Sequence, residues 1–235
     1  MSTENITNEI ITSFIEGLYY NENEQLEDLR EFAEANHVPV ILKDTEGLLA
    51  AILKLKKPAN VLEIGTAIGY SACFFADCCG CHVTTIESDE DSYDSAVSNI
   101  RALGFADQIT ALHGDAIEVL QKLQPDHQDY FDIVFVDAAK SYYKDFWDLS
   151  LPMCKDESLI ICDNVLMKGM TASDSFDPRG RYKTSIRHMR EFIAYINSLD
   201  YADTIVLPVG DGVSISLIDK NTDGESDSQL AEPTV

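Results

Sequence analysis

The chain has 235 residues, 41 of them acidic and 17 basic, for a formal charge of −24. Hydrophobic residues make up 45%, enough for a sizeable core and against general disorder. Charge of this sign excludes a surface that coats nucleic acid or acidic membrane broadly.

The N-terminus, MSTENITNEI, lacks the basic-then-apolar pattern of a signal peptide. No apolar run approaches the ~20 residues that cross a bilayer, so a cytoplasmic protein without membrane attachment is expected. Ile6, Ile10, Ile11, Phe14, Ile15 and Leu18 repeat at helical spacing, and a second helical segment carries Leu26, Leu29, Arg30 and Phe32. Asn21-Glu22-Asn23 breaks the two. His37-Val38-Pro39-Val40-Ile41 reads as an extended linker, since proline pushes its predecessor out of helix. A third helix is predicted from about Thr45 to Leu55.

From Asn60 onward, short apolar runs alternate with helical patterns. The predicted strands are Val61–Ile64, His82–Ile86, Ile109–His113, Ile133–Val136, Leu159–Cys162, Thr204–Leu207 and Val213–Ile218. Helices are predicted near Tyr70–Cys78, Glu90–Leu103, Ala116–Leu123, Tyr142–Met153 and Thr184–Ser198. Such alternation means βαβ units and an α/β fold with a mostly parallel sheet. The last two strands are joined only by Pro208-Val209-Gly210-Asp211-Gly212, too short for a parallel crossover, so they pair as a hairpin. Three units are expected: N-terminal helices and linker over residues 1–58, an α/β catalytic domain over 59–219, and a polar, acidic, disordered tail over 220–235. Cys73, Cys78, Cys79, Cys81, Cys154 and Cys162 read as free thiols, because no second Cys pair or His pair completes a zinc site.

The chemistry gathers at strand ends. Glu63-Ile64-Gly65-Thr66-Ala67-Ile68-Gly69-Tyr70-Ser71 follows the first strand and opens a helix, at the sheet edge where open α/β folds bind ligands. It is not the GxGxxG dinucleotide fingerprint. Glu87 ends the second strand, where an acidic residue can accept from ribose hydroxyls. Gly114-Asp115-Ala116 ends the third, placed for an adenine amino group. Each has a plain structural reading, Glu87 as a solvated strand end and Asp115 as a helix N-cap. Together, at three successive strand ends, they point to an adenosine-containing cofactor without a pyrophosphate.

Two further strand ends carry Phe135-Val136-Asp137-Ala138-Ala139-Lys140 and Ile161-Cys162-Asp163-Asn164-Val165. Asp137, Asp163 and Asn164 form a hard-oxygen set suited to Mg²⁺ or a similar divalent ion; capping of the following loops is the plainer alternative. Lys140, in the same turn as Asp137, is a candidate general base, because a neighbouring cation favours a neutral amine.

These motifs, with HVPVI, LEIGTAIGYSA, FVDAAK, DNVLMKG and PVGDGVSIS, resemble the cation-dependent O-methyltransferases of the catechol and caffeoyl-CoA type over roughly Pro39 to Ile218. Within that group the chain is most similar to the bacterial tRNA 5-hydroxyuridine methyltransferases. The resemblance implies a seven-stranded, Rossmann-like class I methyltransferase fold, S-adenosylmethionine as cofactor and a homodimer. It implies cofactor contacts at Ile41, Glu63, Gly65, Gly69, Ser71, Glu87, Asp115, Ala116 and Asp137. It further implies metal ligation by Asp137, Asp163 and Asn164, with Asp137 and Lys140 at the reacting centre. The family's FVDAAKGQY stands here as Phe135–Tyr143 with Ser141 and Tyr142 after the lysine.

The acceptor is approached through local charge. Arg179, Arg181, Lys183, Arg187 and Arg190 lie between Pro178 and Arg190 with no acidic residue among them, and Lys168 follows the Asp163-Asn164 pair. Lys183, Arg187 and Arg190 share one helical face. A phosphate-contacting stripe for tRNA is the functional reading, and pairing with the acidic N-terminal region is the plain one. The expected reaction is methylation of wobble 5-hydroxyuridine to 5-methoxyuridine; the alternative acceptor is a small catechol-like or caffeoyl-CoA-like metabolite.

Overall fold

Short strands rich in β-branched residues pair in parallel from Asn60 onward, and the helices between them cover both faces. The computed structural model describes residues 9–19 and 21–221. Ile6 of the first helical pattern and most of the expected tail lie outside the described residues. Three helices precede the sheet: α1 (Glu9–Glu16), α2 (Glu24–Ala35) and α3 (Lys43–Lys56). There follow β1 (Asn60–Ile64), α4 (Tyr70–Cys79), β2 (His82–Glu87), α5 (Glu90–Ala102), β3 (Ile109–His113), α6 (Ala116–Leu123) and β4 (Phe131–Val136). The chain continues through α7 (Tyr143–Ser150), β5 (Cys154–Cys162), α8 (Lys183–Ile196), β6 (Ala202–Leu207) and β7 (Val213–Ile218).

The seven strands lie in the order β3-β2-β1-β4-β5-β7-β6. The β1–β5 pairings are parallel, whereas β7 is antiparallel to both β5 and β6. The expected seven-stranded Rossmann-like sheet with its terminal hairpin is therefore observed. Strand alternation divides the core in two. Val61, Ile133, Phe135 and Ile161 pack toward α3, α4 and α5. Leu62, Ile64, Val134 and Ile160 pack toward α6, α7 and α8, around the fully buried Trp147.

Strands β4 and β6 each begin two residues earlier than expected, and two elements differ more. Strand β5 begins at Cys154, not Leu159, because Cys154 pairs with Phe131 before a register shift. Glu157 sits there at φ 57°, a bulge that lets the polar Asp156-Glu157 stretch stay in the strand. The helix expected over Tyr142–Met153 is α7 flanked by single 3₁₀ turns at Lys140–Tyr142 and Leu151–Met153. Pro152 lacks the amide that would continue the α-helix. No helix among the described residues is long and apolar enough to cross a membrane.

Candidate active site

The carboxyl ends of β1, β2, β4 and β5 and the start of α6 open into one cavity of about 580 Å³. Its floor is the turn after β1. Gly65 adopts φ +102°, and a Cβ there would lie 2.1 Å from the Asp137 carbonyl oxygen, so only glycine lets this turn meet the end of β4. Ser71 follows at the start of α4, and the Pro39–Leu42 segment forms a side wall.

The carboxylates around the turn are held by backbone amides. Glu87 Oε2 accepts from Ala67 N at 2.8 Å, and Oε1 accepts from Ser88 N and Asp89 N at 2.9 Å each. Asp115 Oδ1 caps α6, accepting from Ile117 N and Glu118 N at 3.0 and 3.2 Å. The capping and ligand-facing readings of Asp115 are thus compatible, since the residue also lines the cavity. Among the residues expected at the cofactor, Ile41, Gly65, Ser71, Glu87, Asp115, Ala116 and Asp137 line this one space.

Glu63 and Gly69 do not line it. Glu63 is fully buried beneath the turn, on the β1 face turned toward α4. Thr85 Oγ1 donates to its Oε2 at 2.6 Å, and its Oε1 makes no hydrogen bond. Burial pushes the Glu63 carboxyl up to about 8, although the nearby Ser71 and Thr85 hydroxyls pull the other way. Gly69 instead lets α4 start against α5: its added Cβ would stand 3.3 Å from Ala96 Cα.

Past β4 the wiring changes. Lys140 Nζ donates to Asp137 Oδ1 and to the Tyr143 hydroxyl, both at 2.9 Å, and that hydroxyl donates to the Asp163 carbonyl at 2.9 Å. Asp163 is 1% exposed and lies behind Asn164, which does line the cavity. Burial, and next the charge of Asp137, push the Asp163 carboxyl up to about 7. Asn164 holds a left-handed φ of 56°, and its amide donates to Asp163 Oδ1 at 2.6 Å.

By donor chemistry, the carboxylates of Asp137 and Asp163 with the side-chain amide of the adjacent Asn164 fit a divalent cation; Lys140 pairs with Asp137. Among the described residues no three His, Cys, Asp or Glu side chains cluster to hold a metal, and this set reaches three donors only through Asn164. Tyr143 and Asp211 are functional neighbours that sequence reasoning missed. Asp211 accepts from the Lys168 amide, and burial raises its carboxyl above the usual range. Only the doubled tyrosine after Lys140 and the PVGDG turn hinted at them.

The basic segment is partly engaged within itself. Arg190 donates to the Thr171 and Met170 carbonyls at 2.8 and 3.2 Å and pairs with Asp174 at 2.8 Å, while Arg187 stands 3.9 Å from Glu191. Freedom from counter-charge therefore fails for these two, because Glu191 follows Arg187 by one turn of α8 and the loop carrying Asp174 lies against Arg190. Lys168, Arg179, Arg181 and Lys183 are exposed.

The sequence profile of the O-methyltransferase family matches residues 16–219. The chain belongs to this family. The caffeoyl-CoA O-methyltransferase of Populus kitakamiensis is 32% identical over 211 residues, covering 84% of this chain and 87% of that protein. A candidate caffeoyl-CoA O-methyltransferase from Staphylococcus aureus, solved by crystallography, superposes with a TM-score of 0.82 at 31% identity, over 89% of this chain and 100% of that one. A Bacillus cereus O-methyltransferase in complex with SAH shares the fold, with a TM-score of 0.78 at 22% identity over 89% and 97%. As an O-methyltransferase fold, the sheet here places its cavity at the carboxyl edge, at the reversal of strand order where α/β sheets bind ligands.

Proposed function

We propose that this O-methyltransferase uses S-adenosylmethionine and a divalent cation such as Mg²⁺ to methylate a hydroxyl beside a second oxygen, namely wobble 5-hydroxyuridine of tRNA. The observation that carries the reaction class is that Asp137, Lys140 and Asn164 line the β4–β5 end of the cavity, with Asp163 buried behind Asn164, while Glu87 and Asp115 line its other end. S-adenosylmethionine, when bound, supplies a methyl group on a positively charged sulfur. A divalent cation, when bound by Asp137, Asp163 and Asn164, lowers the pKa of the acceptor hydroxyl.

The chain's own residues then have defined work. Glu87 accepts from ribose hydroxyls, and Asp115 with Ala116 borders the adenine. Ile41 and Ser71 border the amino-acid portion. Lys140 Nζ, held in place by Asp137 and Tyr143, is the group that takes the acceptor proton. Orientation contributes as much as acid–base chemistry, because methyl transfer needs the acceptor oxygen in line with the departing sulfur.

The tRNA acceptor is supported by the exposed Lys168, Arg179, Arg181 and Lys183, which follow directly from the β5 end of the site. Arg187 and Arg190 do not line the cavity; with Lys183 they line a separate surface pocket along α8, adding charge to the same segment. A caffeoyl-CoA-like acceptor is the second reading, favoured by the names of the relatives. The resemblance also supports a homodimer in the cytoplasm, and Ile10 and Phe14 on α1, 80% and 66% exposed, offer an apolar face for it.

The test supplies methyl-labelled S-adenosylmethionine and Mg²⁺ with tRNA carrying 5-hydroxyuridine, or with caffeoyl-CoA or a catechol. Label in tRNA that falls when Arg181 and Lys183 are reversed to Glu supports the first acceptor. Label confined to the small molecules overturns it, and full activity in EDTA overturns the cation.

A further inference from the structure

The most deeply buried ion pair lies outside the cavity, at the junction of the N-terminal helices with α4. Arg30 on α2 is 1% exposed and Glu46 on α3 is fully buried. Arg30 Nη2 pairs with Glu46 Oε2, Nη1 donates to the Ile41 carbonyl at 2.9 Å, and Nε donates to the Tyr70 hydroxyl at 3.1 Å. The Tyr70 hydroxyl donates onward to Glu46 Oε2 at 2.7 Å, and the guanidinium carbon lies 4.5 Å above the Tyr70 ring centre. Tyr19 closes the other side, donating to Glu46 Oε1 at 2.7 Å.

Stability alone does not explain this arrangement. A buried ion pair is commonly matched or bettered by apolar residues of similar volume, so its presence here points to another task. The guanidinium differs from an apolar filler in aiming several donors in fixed directions. Here they reach two walls of the cavity at once. Ile41 belongs to the Pro39–Leu42 wall, which is in no helix or strand, so its position depends on ties of this kind. Tyr70 stands between Gly69 and Ser71 at the start of α4, and both Ile41 and Tyr70 line the cavity.

We infer that Arg30 is a positioning residue for the cofactor: with Glu46 as its anchor it sets the Pro39–Leu42 wall against Tyr70, making the N-terminal helices a working part of the site. This rests on the cavity being the S-adenosylmethionine site proposed above. The role is indirect, since Arg30 itself does not line the cavity.

The experiment uses the full chain and S-adenosylhomocysteine as probe, with affinity by calorimetry, thermal stability, and amide exchange of the segment around residues 39–42. Arg30→Met alone would strand a buried carboxylate, so the informative variants are Arg30→Met with Glu46→Leu, and Arg30→Lys. The double variant is expected to melt near the wild type yet bind the probe at least ~10-fold more weakly, the loss of ~1.4 kcal/mol of positioning. Its 39–42 segment should exchange faster while the β1 and β4 amides do not. Arg30→Lys keeps the charge without the fork and should show the same affinity loss, which carries the test if the double variant fails to fold. Either variant folding normally and binding within twofold of wild type overturns the inference. Failure of the wild type itself to bind the probe overturns the cofactor reading beneath it.

Discussion

The two halves of the sheet's carboxyl edge are both built on acidic strand ends, and they treat those acids in opposite ways. On the β1–β3 side, Glu87 accepts from three backbone amides and Asp115 from two. These carboxylates are solvated by the fold itself, with lone pairs to spare for neutral hydroxyls and amines. On the β4–β5 side, Asp137 relies on one lysine, and Asp163, with a single backbone amide, is buried close enough to feel the charge of Asp137. One half is complete as it stands, ready for a neutral partner. The other carries unbalanced charge whose natural complement is a cation.

The contrast breaks most visibly at Asp163. Replacing it with Asn should abolish cation-dependent turnover, a loss of about 10³-fold, on the scale of the several kcal/mol that a Lewis acid supplies. Affinity for S-adenosylhomocysteine should stay within about twofold. The same change should stabilise the metal-free protein near neutral pH. A carboxyl whose pKa rises to about 7 on folding loses stability as pH climbs from its unfolded value toward 7, and Asn has no such loss. Denaturant melts across that range, with chelator present, check the sign.

Glu63 sharpens the comparison, being an unsatisfied carboxyl on the otherwise satisfied side. Its pKa of about 8 means the folded protein binds a proton that the unfolded chain releases near pH 4.5, so stability falls between those values and levels off above. Glu63→Gln keeps an acceptor for Thr85 and should flatten that slope, by several kcal/mol summed over the window at about 1.4 kcal/mol per pKa unit. An unchanged slope would place the titration elsewhere.

Gly65→Ala strikes the seam between the halves, where a Cβ meets the Asp137 carbonyl. It should weaken S-adenosylhomocysteine by about 10²-fold, since a displacement of an ångström is enough for such a loss, and calorimetry reads it directly. Asp115→Ala is the mildest test. Losing the α6 cap should cost ~1 kcal/mol of stability, and an affinity loss larger than that of an equally destabilised core variant would show that the residue also meets the ligand.

Legibility follows the range of the interactions. The seven strands, the glycine turn and the acidic strand ends could be read because each is written in a few adjacent residues. Strand alternation also held the reason that Glu63 turns inward, since it shares a face with Val61 rather than with Ile64. What stayed hidden were partners distant in sequence. Arg30 meets Tyr70 forty positions later, and nothing local to either residue marks the other. The neutralised Arg190 and the Asp211 contact to Lys168 are hidden in the same way, because both depend on how a loop returns to its helix or strand.

The order of the sheet has a consequence for how the enzyme comes into being. Strand β7, the last among the described residues, inserts between β5 and β6. The turn before it receives the amides of Val165 and Leu166 on the carbonyls of Gly212 and Asp211. The loop leaving Asp163 and Asn164 therefore gains its outer support only when the final strand has been synthesised. During translation the β1–β4 pairings can form first, since domains assemble from the segments already emerged. The nascent protein would complete the β1–β3 side of the cavity before the β4–β5 side, and a chain released before Val213 would hold the first without support for the second.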